Sequence, residues 1–304
     1  MTLEGHSREV TSVCVMPDGR VISGSGDKTL KVWDISRGEC IQTLEGHSNV
    51  ICVMPDGRVI SGSEDKTLKV WDISQGECIQ TLEGHRSVSD VTSVCVMPDG
   101  RVISGSWDKT LKVWDISRGE CIQTLEGHSS VVRSVCVMPD GRVISGSEDK
   151  TLKVWDISRG ECIQTLEGHR SVSVTSVCVM PDGRVISGSG DKTLKVWDIS
   201  RGECIQTLEG HSNMVTSVCV MPDGRVISGS DDKTLKVWDI SRGECIQTLE
   251  GHSGWVRSVC VMPDGRVISG SLDKTLKVWD ISRGEYTQGD VIVRSIESQV
   301  IIIS

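Results

Sequence analysis

The dipeptide Trp-Asp recurs seven times in this chain at nearly constant spacing. Its tryptophans stand at positions 33, 71, 114, 155, 197, 238 and 279, so neighbouring copies are 38, 43, 41, 42, 41 and 41 residues apart. A period near 40 residues is typical of a repeat protein, in which each repeat is one supersecondary unit. The repeats start near residues 5, 46, 84, 127, 168, 210 and 251, each with a Gly-His, and residues 285–304 form a divergent tail. The repeat predicts one domain over 1–304, although the length alone could hold two.

Each repeat contains four short β-prone segments separated by turn sequences. In the first repeat these segments are 10–16, 20–25, 29–34 and 40–44, and Pro-Asp-Gly, Gly-Asp-Lys and Ser-Arg-Gly lie between them. Short strands with turn residues every 8 to 12 positions favour an all-β fold. One such sheet cannot bury apolar residues on both faces, but sheets arranged radially bury them against each other.

The motif order in every repeat is Gly-His, Pro-Asp-Gly, Ser-Gly-Ser-x-Asp and Val-Trp-Asp. This order resembles the WD-repeat β-propeller family, and the resemblance extends from residue 1 to about 284. It implies a seven-bladed β-propeller with four antiparallel strands per blade around a central channel.

Each repeat also carries one His, Ser, Asp and Trp. The resemblance implies that these four side chains form a structural hydrogen-bonded tetrad. The sets in the first, fourth and seventh repeats are His6, Ser23, Asp27 and Trp33; His128, Ser145, Asp149 and Trp155; and His252, Ser269, Asp273 and Trp279. Ser, His and Asp together also suggest a hydrolase, but a catalytic triad occurs once per site and no G-x-S-x-G is present. We therefore expect no catalytic residues and no enzyme.

The repeats differ mainly in two segments, the residue before the tetrad Asp and the stretch after Gly-His. Because strands alternate in direction, both segments lie at the same end of a blade, whereas the nearly invariant Pro-Asp-Gly and Ser-Arg-Gly turns lie at the other. This predicts a partner-binding face around one channel mouth. Its candidate residues are Glu9, Thr11, Glu64, Trp107, Arg133, Glu148, Met214, Asp231, Trp255, Arg257 and Leu272. Drift of tolerant surface loops is the alternative.

Two tryptophans of this set are candidate binding anchors, since aromatic side chains dominate many interfaces. The alternative for Trp107 and Trp255 is packing under a neighbouring loop. We expect Met214, Trp255 and Leu272 to form an apolar patch with Arg257 beside it. Arg133 and Glu148 distinguish the fourth blade.

Composition narrows the classes of partner. The net charge is −9, and a chain without a basic stripe is a poor candidate for nucleic acid. The thirteen cysteines occupy two regular repeat positions without a C-x-x-C pair, so we expect small buried residues in a reducing compartment, with no metal and no cofactor. No charged-then-apolar leader and no run of 18 apolar residues is found, so we expect no membrane contact and a cytoplasmic location.

Two departures from the pattern carry expectations of their own. The second repeat is three residues shorter after its Gly-His, which makes His47 the least certain tetrad member. The seventh repeat lacks the usual fourth strand, and its candidates are Thr2-Leu3 and the tail. We expect tail residues, with 291–296 as the better strand, to complete this blade and the start to contribute little. The apolar segment 300–303 could cover an edge, pair with a second molecule or be disordered.

The function favoured by the sequence is a protein-interaction scaffold or recognition module. Near-identical repeats varied on one face are similar to WD arrays that end large fungal and bacterial recognition or signalling receptors. A structural or engineered array without a ligand is the alternative, although its loops would be expected to share one length. The partner is expected to be a protein or peptide on the varied face, with self-association through the tail left open.

Overall fold

The computed structural model describes residues 1–47, 50–86, 90–170, 173–282 and 285–286. Within these ranges the chain contains strands and turns but no helix, and hence no apolar helix that could cross a bilayer. The strands form seven antiparallel sheets arranged as a ring. The predicted seven-bladed β-propeller is confirmed.

We label the strands of each blade A to D in chain order. The strands A are Val10–Val15, Val50–Val53, Val91–Val96, Val132–Val137, Val174–Val179, Val215–Val220 and Val256–Val261. The strands B are Val21–Ser25, Val59–Gly62, Val102–Ser106, Val143–Ser147, Val185–Ser189, Val226–Ser230 and Val267–Ser271. The strands C are Thr29–Asp34, Leu68–Asp72, Leu111–Asp115, Leu152–Asp156, Leu194–Asp198, Leu235–Asp239 and Leu276–Asp280. The strands D of blades 1 to 6 are Glu39–Glu45, Glu77–Leu82, Glu120–Leu125, Glu161–Leu166, Glu203–Leu208 and Glu244–Leu249.

The A–B turns show why this sequence forms tight hairpins. Pro17 and Asp18 precede Gly19, whose φ of 85° lies in the left-handed region that glycine adopts at little steric cost. Met16 donates its backbone N–H to the carbonyl of Arg20, which closes the hairpin at 2.8 Å. The same bonds recur in all seven blades.

Strand A carries a β-bulge in the six blades other than blade 2. The register shifts between Val10 and Ser12 in blade 1, and at the equivalent positions of the other five. In blade 2 the pairing from Val50 to Val53 is regular. The bulged residue of the six blades is threonine or arginine. A bulge re-aims the side chain that it carries.

The blades are held in register by a ring of serine hydrogen bonds. In blade 1 the hydroxyl of Ser12 accepts the backbone N–H of Ile51 from blade 2 at 3.3 Å. Five further pairs join blades 3–4, 4–5, 5–6, 6–7 and 7–1 in the same way. In blade 2 the serine position is occupied by Val50, which has no hydroxyl. Because equivalent positions are joined, the corresponding ends of all blades lie on the same face of the ring.

The hydrophobic core lies between the blades. Each of seven buried clusters combines strands B and C of one blade with strands A and B and the Trp of the next. Trp155 of blade 4, for example, packs with Ile103, Leu111 and Val113 of blade 3. No blade buries its apolar faces alone, so the ring stabilises each sheet by burying apolar area on both sides.

Blade 7 is completed by two separate segments. Thr2–Leu3 pairs with strand C at Lys277 and Leu276, and Glu285–Tyr286 pairs with the other half of the same strand. The chain start therefore supplies half of this strand, and the expectation that it contributes little is wrong. The physical reason is that Thr2–Leu3 repeats the Thr-Leu of every other strand D, and Leu3 fills a buried position between blades 7 and 1. The proposed tail strand at 291–296 and the apolar segment at 300–303 lie outside the described residues.

Candidate interaction face

The four residues predicted as a tetrad meet in every blade. In blade 4 the indole N–H of Trp155 donates to Ser145 Oγ at 2.8 Å, and Ser145 lies 2.7 Å from His128 Nε2. His128 Nδ1 lies 2.7 Å from Asp149 Oδ2. If each group donates to the next, the histidine is neutral and its Nδ1–H faces the carboxylate. The chain of bonds ties the D–A loop to strands B and C.

Five other blades repeat this arrangement with His–Ser and His–Asp distances between 2.7 and 2.9 Å. They include His6, Ser23, Asp27 and Trp33 in blade 1, and His252, Ser269, Asp273 and Trp279 in blade 7. The tetrad serines are fully buried. A serine that is buried and already bound to Trp and His cannot approach a substrate as a nucleophile.

Blade 2 holds its histidine differently. The ring of His47 is turned, so that Nδ1 faces Ser61 while Nε2 lies 3.2 Å from Asp65 and 3.0 Å from Thr67. The Asp65 side chain is 47% exposed, whereas its equivalents are nearly buried. The bond between His47 and Asp65 is therefore longer than its equivalents in the other blades. This agrees with the prediction that His47 is the least certain member of the tetrads.

The free energy of unfolding should decrease on acidification, because burial lowers the pKa values of several tetrad histidines. Burial lowers the pKa of His47 to about 4, and it also lowers the pKa values of His6 and His252 from their usual range. Between pH 6.5 and 4 the histidine is protonated in the unfolded chain but remains neutral in the folded chain. The stability that it contributes is therefore fully present above pH 6.5 and decreases toward pH 4. Each such histidine contributes at most about 1.4 kcal/mol per pH unit. We expect the melting temperature to fall over this window.

The control for this pH dependence is His47→Asn. It removes one titrating group, so the variant should lose less stability than the wild type between pH 6.5 and 4, even if it is less stable at pH 7. The tetrad aspartates affect stability only at lower pH. Hydrogen bonds from Thr29 and His6 outweigh the effect of burial and lower the pKa of Asp27 to about 2. Parallel melting curves for both proteins would contradict the assignment.

The two variable segments of each blade are hydrogen-bonded to one another. In six blades the backbone N–H of the residue before the tetrad Asp donates to the carbonyl of the residue that precedes strand A. Trp107 donates to Asp90 in this way at 3.0 Å, and Leu272 donates to Trp255 at 2.8 Å. The D–A loops and B–C turns therefore share one end of each blade. Trp107 and Trp255 both lie on this face, which we call the loop face.

The first cluster on the loop face joins blades 3 and 4. The guanidinium of Arg133 lies over the ring of Trp107, 5.7 Å from its centroid, within the range of a cation–π contact. Arg133 also forms an ion pair with Glu148 of its own blade. Trp107 is 45% exposed, so it is not packed beneath a loop. We call Trp107, Arg133 and Glu148 the Trp107 cluster.

The second cluster joins blades 6 and 7. The guanidinium of Arg257 lies 5.3 Å from the ring centroid of Trp255, which is 41% exposed. Leu272 stands at the position that Glu148 occupies in blade 4, so Arg257 has no carboxylate there and approaches Asp231 of blade 6 at 3.8 Å. We call Trp255, Arg257, Leu272 and Asp231 the Trp255 cluster.

Asp231 differs from what the sequence predicted for a partner-binding residue. It is buried, and its Oδ1 has no hydrogen-bond partner within the described part of the chain. Burial raises the pKa of this carboxyl, although Arg257 opposes the shift. The equivalent residues Glu64 and Trp107 are exposed, whereas Asp231 is buried and lies 3.8 Å from Arg257 of blade 7.

The remaining predicted residues take several positions. Glu64 is exposed, Met214 is half-buried and accepts the N–H of Asp231 through its carbonyl, and Glu9 lies beside Arg8. Thr11 is the bulged residue of strand A, and its hydroxyl donates to the carbonyl of Gly24. The Thr11 hydroxyl is thus engaged within the ring, and its contact with a partner stays a prediction. This backbone bond to Asp231 links Met214 to the Trp255 cluster.

The bulge explains why Arg133 and Arg257 reach the seams between blades. In blades 3, 5 and 6 the bulged threonine donates to a carbonyl of the following blade. In blades 4 and 7 an arginine takes this position, and the hydroxyl bond is replaced by a guanidinium near the channel mouth.

Sequence reasoning missed Asp90. Its backbone carbonyl accepts the N–H of Trp107, and burial together with the nearby charge of Glu64 raises the pKa of its carboxyl. Its signal in the sequence was an acidic residue directly before strand A in the longest D–A loop.

The opposite face satisfies its own polar groups. In each A–B turn the arginine contacts the aspartate two residues earlier, as Arg20 does with Asp18 at 2.7 Å. In each C–D turn the aspartate caps the turn, as Asp34 does for the backbone and hydroxyl of Ser36. This face repeats with little change and exposes no tryptophan in the described residues.

Comparisons with known proteins agree with this geometry. The family described as "WD domain, G-beta repeat" matches seven segments, which are 1–34, 38–72, 76–115, 119–156, 160–198, 202–239 and 243–280. Curated relatives include proteins named "Ribosome biogenesis protein BOP1 homolog" from Drosophila erecta, Drosophila sechellia and Drosophila melanogaster. Each is 50% identical over 46 residues. The shared stretch is 15% of this chain and 6% of each relative, which is about one blade.

Proposed function

The chain belongs to the WD domain, G-beta repeat family, and from that premise we propose that it is a non-catalytic interaction scaffold whose loop face binds a protein or peptide. Propellers of this family generally serve as protein-interaction scaffolds. The 46 residues shared with the ribosome biogenesis relatives amount to about one blade, so they support the fold of a blade and carry no ribosomal role to this chain.

One observation carries the choice of face. Both exposed tryptophans of the described chain lie on the loop face, and each is covered on one side by an arginine from a bulged strand A. Tryptophan and arginine are the residue types most enriched at binding hot spots. Each arginine also limits how its ring can move, so less side-chain entropy is lost when a partner binds.

The chemistry of the face supports binding rather than catalysis. The Ser-His-Asp sets are inside the blades, with their serines inaccessible. Across the described ranges no group of three or more His, Cys, Asp or Glu side chains is arranged to hold a metal ion. What the face offers is two half-exposed indoles, two guanidinium groups and the surrounding loop carboxylates, which suit a partner with apolar and polar side chains.

The test compares exposed apolar residues on the loop face with one on the outer rim. Trp255→Ala and Trp107→Ala should each reduce capture of the physiological partner by about 30-fold, equivalent to the roughly 2 kcal/mol of a hot spot. Ile246→Ala is the matched control, because Ile246 is 44% exposed but lies on strand D at the rim. Capture is measured by pull-down with the immobilised ring, followed by titration of the captured partner.

Melting curves of the three variants separate binding from folding. We expect each to melt within a few degrees of the wild type, since these side chains are largely exposed. If the tryptophan variants lose several kcal/mol of stability, the two indoles are packing residues. Loss of capture by the Ile246 variant alone would place the interaction on the rim and overturn the proposal.

A further inference from the structure

The two arginines at the bulge of strand A have different hydrogen-bond partners. In blade 4 the Nε–H of Arg133 donates to Glu148 Oε1 at 2.9 Å, and the hydroxyl of Ser130 donates to Glu148 Oε2 at 3.4 Å. A carboxylate of its own blade thus neutralises Arg133. In blade 7 Arg257 approaches Asp231 Oδ1 at 3.8 Å, which is too long for a hydrogen bond. Within the described ranges no acceptor is bonded to the guanidinium of Arg257.

Two differences in sequence account for the missing acceptor. The loop of blade 4 reads His-Ser-Ser-Val-Val-Arg from residue 128, and the loop of blade 7 reads His-Ser-Gly-Trp-Val-Arg from residue 252. Gly254 therefore stands where blade 4 has Ser130, and Leu272 stands where it has Glu148. The arginine is kept while its acceptor is lost. Because the Arg257 side chain is 35% exposed, its N–H donors are accessible to a group from outside the chain.

The buried carboxylate of Asp231 limits the charge that this site can accept. The Asp231 side chain is 5% exposed, and its Oδ1 has no hydrogen-bond partner in the part of the chain that the structure describes. Its negative charge offsets that of the guanidinium 3.8 Å away without occupying the N–H donors of Arg257. The site therefore suits an anion with one negative charge better than a doubly charged phosphate group.

The backbone at Trp255 is held close to the B–C turn of its blade. The carbonyl of Trp255 accepts the N–H of Leu272 at 2.8 Å. A Cβ atom at Gly254 would lie 2.6 Å from the backbone nitrogen of Asp273, so only glycine allows this approach. The indole is 41% exposed and lies 5.3 Å from the guanidinium of Arg257. An apolar ring and a charged group are thus in place before a ligand binds, which reduces the entropy lost on binding.

We propose that the Trp255 cluster is a subsite for an Asp or Glu side chain of the bound peptide, with a neighbouring apolar side chain of that peptide packed on the indole. The proposal rests on the loop face being the binding face, and it names the chemistry of the segment bound there. A carboxylate accepts two parallel N–H bonds from a guanidinium, and Arg257 has donors available for both. The apolar side chain contacts Trp255 and Leu272. The Trp107 cluster does not select an acidic residue, because Glu148 already occupies Arg133.

The experiment begins with a phage library of random short peptides, which is selected on the immobilised full chain. Each peptide is fused through its C-terminus to the coat protein, so every selected carboxylate belongs to a side chain. We expect an Asp or Glu next to a bulky apolar residue to be enriched several-fold over the unselected library.

The affinity of one enriched peptide is then measured by calorimetry at pH 7. The peptide is synthesised with an amidated C-terminus, together with a counterpart in which Asn or Gln replaces the acidic residue. The counterpart should bind about 10-fold more weakly. This is the lower end of the contribution of a hydrogen bond to a charged group, because Arg257 is partly exposed to water.

Two pairs of variants locate the acidic residue of the peptide. Leu272→Glu gives Arg257 the carboxylate that its equivalent has in blade 4, so affinity for the acidic peptide should fall about 10-fold although the arginine is retained. Gly190→Glu is the matched control, because it adds the same charge at the same repeat position of blade 5. Arg257→Met should lose as much affinity as Leu272→Glu. Its control is Arg170→Met, which removes an exposed arginine from the D–A loop of blade 5.

Melting curves verify that each variant folds, and the comparison of the two peptides on the wild-type ring needs no variant. Selection without enrichment of acidic sequences, or equal affinity for the acidic peptide and its amide counterpart, would overturn the proposal. So would equal affinities of the Leu272→Glu and Gly190→Glu proteins.

These outcomes are distinct from failure of the proposed function. If neutral peptides are selected and their binding depends on Trp255, the loop face remains the binding surface and only the acidic subsite is rejected. If capture of the physiological partner is unchanged in Trp255→Ala and Trp107→Ala, the loop face itself is rejected.

Discussion

Leu3→Ala is expected to lower the free energy of unfolding by about 2–5 kcal/mol, the usual range for truncating a buried leucine. Leu3 is 1% exposed and packs with Val10, Trp33 and Leu276 at the seam between blades 7 and 1. Here the missing methyl groups leave a cavity where the ring is closed by non-covalent contacts alone. The measurement is urea denaturation followed by tryptophan fluorescence, since a framework Trp lies in each blade.

The matched control is Leu249→Ala. Leu249 occupies the same strand D position in blade 6 and is equally buried, but its strand is continuous from Glu244. We expect Leu249→Ala to cost less than Leu3→Ala, because Thr2–Leu3 pairs with strand C through two residues and can detach, whereas strand D of blade 6 pairs through five. Detachment would expose the edge of strand C in blade 7. Equal losses in both variants would show that closure adds nothing to the cavity effect.

Ser145→Ala is expected to cost about 3 kcal/mol. The hydroxyl of Ser145 is the shared partner of two buried groups, Trp155 Nε1 and His128 Nε2. Leaving a buried polar group without a partner costs about 1–3 kcal/mol, and here two are left at once. The removed oxygen is small, so little of the loss comes from packing.

Ser158→Ala in the same blade is the control for this substitution. The Ser158 hydroxyl also donates a hydrogen bond, to Asp156, but it lies in an exposed C–D turn where water can replace it. We expect a loss below about 0.5 kcal/mol, as for most surface substitutions. Comparable midpoints of urea denaturation for the two serine variants would contradict a structural role for the tetrad.

The predicted tetrads illustrate how far local sequence reaches. The spacing of His, Ser, Asp and Trp is nearly the same in all repeats, and the four side chains meet in all seven blades. In blade 2 the same four residue types are present, yet the ring of His47 is turned and Asp65 is half exposed. The shortened loop was visible in the sequence, but the orientation of the ring depends on the space that the loop leaves.

The loop face was also predicted from the sequence in part, and its contacts between residues were not. Its residues were found by comparing the repeats with one another, and alternation of strand direction placed them at one end of the blade. The spacing of the residues could not predict three contacts. Arg133 covers Trp107 of the preceding blade, Asp231 is buried near Arg257, and Thr11 forms a hydrogen bond within the ring. Each of these contacts depends on how closely neighbouring blades approach, or on the bulge that turns a side chain.

The sequence by itself determined the seven repeats and the four strands in each, because these depend on turn chemistry and alternation within about 41 residues. The seven-bladed ring and the hydrogen-bonded tetrad followed from the resemblance of the repeat motifs to the WD-repeat family. Only the tertiary structure decided how the ring closes, since Thr2 pairs with Lys277 across almost the whole chain. Local pattern dictates the units, whereas contacts between units arise only when seven sheets share their buried faces.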